Sequence, residues 1–75
     1  MLSEQKANEI KDRYALHLLN QPGVSGVGVE KDEGGGYLIV VHLNSHDPKI
    51  RQNLPQELEG HPVKFIKSGP FYKGG

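Results

Sequence analysis

An α+β sandwich of two layers is the fold this sequence predicts, with an antiparallel three-stranded sheet, helices on one of its faces, and the element order αββαβ. Three observations carry that reading. Apolar residues recur at spacings of three and four between Ser3 and Asn20. Two runs rich in β-branched residues, Val24–Glu30 and Tyr37–Leu43, flank the polar, glycine-rich "KDEGGG". A second helical region, "SHDPKIRQNLPQELEG", precedes a third short apolar run, Val63–Lys67. Helices set against one face of an antiparallel sheet make two packed layers.

The first helix has clear ends. Ser3 is a suitable N-cap and Glu4 sits near the positive end of the helix dipole. Ala7, Ile10, Tyr14 and Leu18 form one apolar stripe, which Ala15 and Leu19 widen. Pro22 cannot continue the helix, and Gly23 can take a left-handed conformation. In the second region Asp47 is the expected N-cap, with Pro48 at the first helical position where its missing N–H costs nothing. Ile50, Leu54 and Leu58 are then expected to face the core. Pro55 interrupts the region, and Gly60 closes it as a C-cap.

The glycines of "PGVSGVGVE" raise a choice between a phosphate loop and a sheet. A dinucleotide fingerprint needs G-x-G-x-x-G between a strand and a helix. Here the order is G-x-x-G-x-G, a charged hairpin follows, and no Walker-type lysine with its Ser or Thr is present. The sheet is therefore preferred. Strict alternation places Ser25, Val27 and Val29 on one face and Val24, Gly26, Gly28 and Glu30 on the other. Tyr37, Ile39, Val41 and Leu43 would face the helices, with Leu38, Val40 and His42 turned away. On the third strand Val63 and Phe65 go in, and Lys64 and Ile66 go out. The outer face is then apolar and flat where an uncovered sheet should be polar. Glycine inside a strand often marks close approach by another backbone or ligand, and exposed apolar patches mark contact surfaces. Val24, Gly26, Gly28, Leu38, Val40 and Ile66 are the expected partner-binding residues.

Catalysis finds little support in the residues. Ser45-His46-Asp47 holds the three residue types of a nucleophilic triad, but adjacent side chains point apart and the trio reads as a helix cap. His17, His42, His46 and His61 lack regular metal-ligand spacing, and the chain has no cysteine. Neither Glu57 with Glu59 nor Asp32 with Glu33 makes carboxylates facing across a cleft. No enzyme, cofactor or metal is expected. The C-terminal stretch is basic and aromatic, with Lys64, Lys67, Lys73, Phe65, Phe71 and Tyr72. Such surfaces hold single-stranded nucleic acid when the domain is basic. Formal net charge here is +0, so nucleic acid is not expected as a partner.

With 75 residues the chain is read as one small domain, 1–75, with 68–75 as a tail. A domain of this size buries only about 60% of the surface its unfolded chain exposes. Without disulfide or metal staples, association is a common source of added stability. The polar N-terminus has no signal-peptide pattern, and no apolar run is long enough to span a bilayer, so a cytoplasmic location without membrane contact is expected. The terminal Gly74-Gly75 offers an alternative function. A tail without side chains can enter a narrow channel and present its carboxylate, as in ubiquitin-like modifiers and sulfur carriers. Those chains open with a hairpin, whereas this one opens with a helix.

"LLNQPGVSGVGV", "YLIVVHL" and "LPQELEGHPVKFIKSGPF" together resemble a small bacterial αββαβ domain. Its pattern is PGVxGVGV, an apolar strand, LPxxLxGxPV and a closing GxF, and it is found alone or beside trypsin-like protease domains. The likeness runs from Leu18 to Phe71. It brings no catalytic residues, and it implies an accessory or interaction domain. The PGV opening is also similar to heavy-metal-associated domains, but their Cys-x-x-Cys is absent. The sequence therefore points to a non-catalytic module that binds itself, as a homodimer, or a protein partner.

Overall fold

The structure, a computed structural model, describes residues 2–44 and 47–67. Its elements are α1 (Glu4–Leu19), β1 (Val24–Lys31), β2 (Tyr37–Leu43), α2 (Pro48–Gln52), β3 (Glu57–Leu58) and β4 (His61–Lys67). The class is α+β as expected, but the sheet is four-stranded and mixed, in the order β1-β2-β4-β3. β1 and β2 form an antiparallel hairpin, β2 and β4 run parallel, and β3 and β4 are antiparallel. The element order is thus αββαββ, which corrects both the three-stranded antiparallel sheet and the order αββαβ.

The correction has a local cause. Gly60 is the second residue of a two-residue turn, not a helix cap. Leu58 pairs with His61, and between them Glu59 and Gly60 have φ of 53° and 84°. A tight hairpin matches the strand twist when both central residues take positive φ. α2 is correspondingly short. Asp47 caps it, its Oδ1 accepting from the Lys49 N–H at 3.0 Å, and Pro48 opens it. The helix stops at Gln52, ahead of Pro55, whose ring disfavours a helical residue before it. Residues 44–60 then serve as the crossover that any parallel pair requires.

α1 follows its sequence signals more closely. The Ser3 Oγ accepts from the Lys6 N–H at 3.1 Å, and Asn20 is the C-cap. Ala7, Ile10 and Leu18 are buried and Tyr14 is half-buried. Leu19 does not widen the stripe: it is 45% exposed, and Leu16 is 78% exposed. The core joins Ile10 and Leu18 of α1 to Val24, Ile39, Val41, Leu43, Leu54 and Leu58. Val27, Ile50, Val63 and Phe65 pack around it.

Val24 belongs to this core and not to the outer face, because the register slips. Val24 is opposite Leu43, yet Gly26 is opposite His42, so β1 carries one extra residue there. Such a bulge restarts the alternation. The Ser25 hydroxyl donates to the His42 carbonyl at 3.2 Å across the slip.

One polar cluster ties α1 to the crossover. The Arg13 guanidinium donates to Oε2 of Glu59, and the Tyr14 hydroxyl donates to the same oxygen at 3.2 Å. The hydrogen bond from Arg13 holds the Glu59 carboxyl below its ordinary range and in turn raises the guanidinium. Loss of hydration, aided by Glu59, pushes the Tyr14 phenol up.

Two glycines with the same backbone should respond differently to substitution. Gly60→Ala meets no neighbour within 4 Å and is expected to cost about 1–2 kcal/mol from the left-handed conformation alone. Gly23→Ala, also at φ +84°, would set its Cβ 2.5 Å from Cδ1 of Ile50, and should lower urea-unfolding stability further. The Glu59 ion pair is testable by pH. A lowered carboxyl pKa contributes stability above the unfolded-state pKa and loses it as pH falls through the folded one. Glu59→Gln should therefore melt below the wild type at neutral pH, and the gap should close in acid once the wild-type carboxyl is protonated.

Candidate interaction face of the sheet

Opposed residues in neighbouring strands place their side chains on the same face. The register therefore lays out both faces as rows. The inner rows are Val29–Ile39–Val63, Val27–Val41–Phe65 and Val24–Leu43–Lys67. The outer rows are Glu30–Leu38, Gly28–Val40–Lys64 and Gly26–His42–Ile66. Both helices lie on the inner side. Ile10 and Leu18 of α1 and Ile50 of α2 meet the inner-face residues, and the Arg51 guanidinium sits 5.1 Å from the centre of the Phe65 ring.

Five of the six expected partner-binding residues, Gly26, Gly28, Leu38, Val40 and Ile66, thus share the face away from the helices. Val24 does not, because of the bulge. Of the five, Val40 is fully buried within the single chain although it lies outside the core cluster. It offers no area to a partner. A reason is visible in the ion pair from Lys64 Nζ to Glu30 Oε1 at 3.9 Å. Lys64 is on β4 and Glu30 on β1, so their stems must cross β2 between the Leu38 and Val40 rows. Long charged side chains cover apolar surface in this way while their heads stay in water.

The remaining outer surface is Leu38, His42 and Ile66, all half-buried, beside the two glycines. A Cβ at Gly28 would have nothing within 4 Å, and one at Gly26 would touch only the His42 ring edge and Cβ, at 3.7 and 3.9 Å. β1 therefore presents bare backbone as a shallow trough next to the Leu38 and Ile66 side chains.

Two concavities were not foreseen from the sequence. One, of about 450 Å³, opens at the sheet end where β2 and β4 are not yet paired; Leu2, Tyr37, Leu38, His61, Pro62 and Lys64 border it. The other, of about 540 Å³, lies between α1 and residues 52–59 beside the Tyr14–Glu59 contact. The second borders β3, a strand that the helical reading of the region, interrupted at Pro55, did not anticipate. The sequence signal was Glu59-Gly60, a two-residue turn between Leu58 and His61.

Among the described residues no group of three or more His, Asp or Glu side chains is placed to hold a metal ion, and no helix is long and apolar enough to cross a membrane. Ser45, His46 and the tail with Phe71, Gly74 and Gly75 lie outside the described residues. Comparison of the chain with protein-family models, curated proteins and solved structures gives no match.

Proposed function

We propose that the chain is a non-catalytic interaction module that binds a protein partner, or a second copy of itself, through the outer face of its sheet. The observation that carries this reading is the combination of Leu38 and Ile66 with bare backbone at Gly26 and Gly28, on a face over which neither helix packs. Strand glycines weaken a sheet unless close approach repays them. The Glu30–Lys64 pair crosses the middle of this face and places charges of both signs between Leu38 and Ile66.

The chain's lack of cysteine makes the test clean. Single-cysteine variants Leu38→Cys and Ile66→Cys, each carrying a photo-cross-linker, should give a discrete adduct in extract of the source cells. Glu9→Cys, on the exposed side of α1, should not. The companion change Ile66→Glu should abolish the Leu38 adduct while leaving the melting temperature close to wild type. Equal labelling at the sheet positions and at Glu9 would remove the reading.

A further inference from the structure

The two edges of the sheet differ sharply. β3 closes one with two residues, while β1 closes the other with eight. Long unpaired edges are templates for further pairing, and proteins blunt them with charges, proline or bulges. β1 has its bulge at the Val24 end and Lys31 at the other. The stretch Gly26–Lys31 between them keeps an unbroken register with β2.

Which of its backbone groups face outward follows from one hydrogen bond. The Asp32 N–H donates to the Gly36 carbonyl at 2.9 Å, so Asp32 and Gly36 are a hydrogen-bonded pair. Antiparallel ladders alternate such pairs with non-bonded ones. Glu30–Leu38, Gly28–Val40 and Gly26–His42 are then bonded pairs. The N–H and C=O groups of Val27, Val29 and Lys31 point away from β2, and among the described residues no other element's backbone meets them.

The rotation of α1 adds a second observation. Arg13 and Tyr14 reach Glu59 at the β3–β4 turn, so that flank of the helix faces the β3 side. At about 100° per residue the opposite flank carries Asn8, Asp12, Ala15 and Leu19, with Leu16 one step further round. That flank lies above the β1 edge and holds Leu19, 45% exposed, whereas Leu16, 78% exposed, stands three residues on from Arg13 and faces solvent. Asp12 on the same flank is paired with Lys11 at 3.0 Å. Val29, toward the N-terminal end of α1, is half-buried but lies outside the core cluster.

We infer that two copies of the chain pair edge to edge through β1, antiparallel about a twofold axis at Gly28, forming one continuous sheet with the two α1 helices side by side. In this register Val27 exchanges backbone hydrogen bonds with Val29 of the second copy, and the reverse. Gly28 meets Gly28 at the close, non-bonded position of the ladder, about 4.5 Å between Cα atoms. Glu30 falls opposite Gly26, and Lys31 opposite Ser25, so no like charges oppose. α1 packs on β1 and on β2. A helix seated between those strands lies about one strand spacing from the axis, so the two copies of α1 are about 10 Å apart, close to a helix-packing distance. The two α1 helices then run antiparallel across the axis, with Leu16 and Leu19 of each at its Val24 end, away from the axis. This surface is the sheet's edge and stands or falls apart from the outer face.

Sedimentation over a concentration series tests it. Wild-type chain should reach twice the 8.3 kDa mass of one copy. Gly28→Lys and Gly28→Asp each add a side chain into open space in the single copy, so both should stay folded by circular dichroism. Each alone sets like charges opposite one another and should weaken self-association about fivefold or more. Mixed in equal amounts, they should restore the double mass as a heterodimer. Val29→Pro removes only an outward N–H and should also yield single copies. A wild type that remains at 8.3 kDa, or charge variants that fail to recover on mixing, overturns the edge pairing. Loss of the double mass by Ile66→Glu with none by Val29→Pro overturns it too, while leaving the outer-face reading intact.

Discussion

β2 is the constraint on which the rest of the molecule depends. It has a neighbour on both sides, antiparallel β1 and parallel β4, and every row that joins β1 to β4 passes through it. Ile39, Val40 and Val41 are each essentially without exposure. Burying a side chain of this size stabilises by about 1.5–3 kcal/mol, before the entropy of ordering it is subtracted. No other strand contributes three consecutive buried residues. The helix has its partner surface because Ile39, Val41 and Leu43 stand on one side of this strand. On the other side Val40 stands fully buried, with Glu30 and Lys64 meeting across it.

The apolar run at Leu38–Val41 has two causes that the sequence could not separate. A strand flanked on both sides and buried on both faces reads as continuous hydrophobic sequence, especially beside a parallel neighbour. That accounts for Val40, which the chain covers by itself, with Glu30 and Lys64 reaching across it. It does not account for Leu38 and Ile66, which keep accessible area, or for glycine at alternate positions of an edge strand. Those residues are where a contact surface remains to be explained once the needs of a central strand are met.

Much of the architecture was legible in local signals. The caps at Ser3 and Asp47, the hairpin around "KDEGGG", and the inward set Ile39, Val41, Leu43, Val63 and Phe65 are each specified within a few residues of chain. What was hidden depends on choices between equally good local patterns. Leu54 and Leu58 sit at helical spacing from Ile50, yet Leu58 reaches the core from a strand. Glu at the first position of a positive-φ turn is a poor local signal, because its stability comes from Arg13 and Tyr14, far away in sequence. Strand direction is hidden for a related reason. Val63–Lys67 reads the same way up or down, and only the β3 turn makes β4 parallel to β2. At the candidate face, the bulge at Ser25 was the missing piece. A phase slip of one residue leaves composition unchanged and moves Val24 from one side of the sheet to the other.

Glu59 connects these local departures. A non-glycine residue at positive φ is held there by its surroundings. Here the carboxylate accepts from two consecutive residues of α1, so the same contact that stabilises the turn also fixes the helix about its own axis. With Arg13 committed to the β3 side, Ala15 and Leu19 are committed to the β1 side. The exposure of Leu16 and Leu19 is then a geometric consequence of closing the crossover. Rotating α1 to bury them would pull Arg13 off Glu59 and lift Ile10 away from Ile39 and Val41. The fold keeps every internal contact by leaving Leu16 and Leu19 exposed at the C-terminal end of α1, while β1 keeps outward hydrogen-bonding groups along its edge.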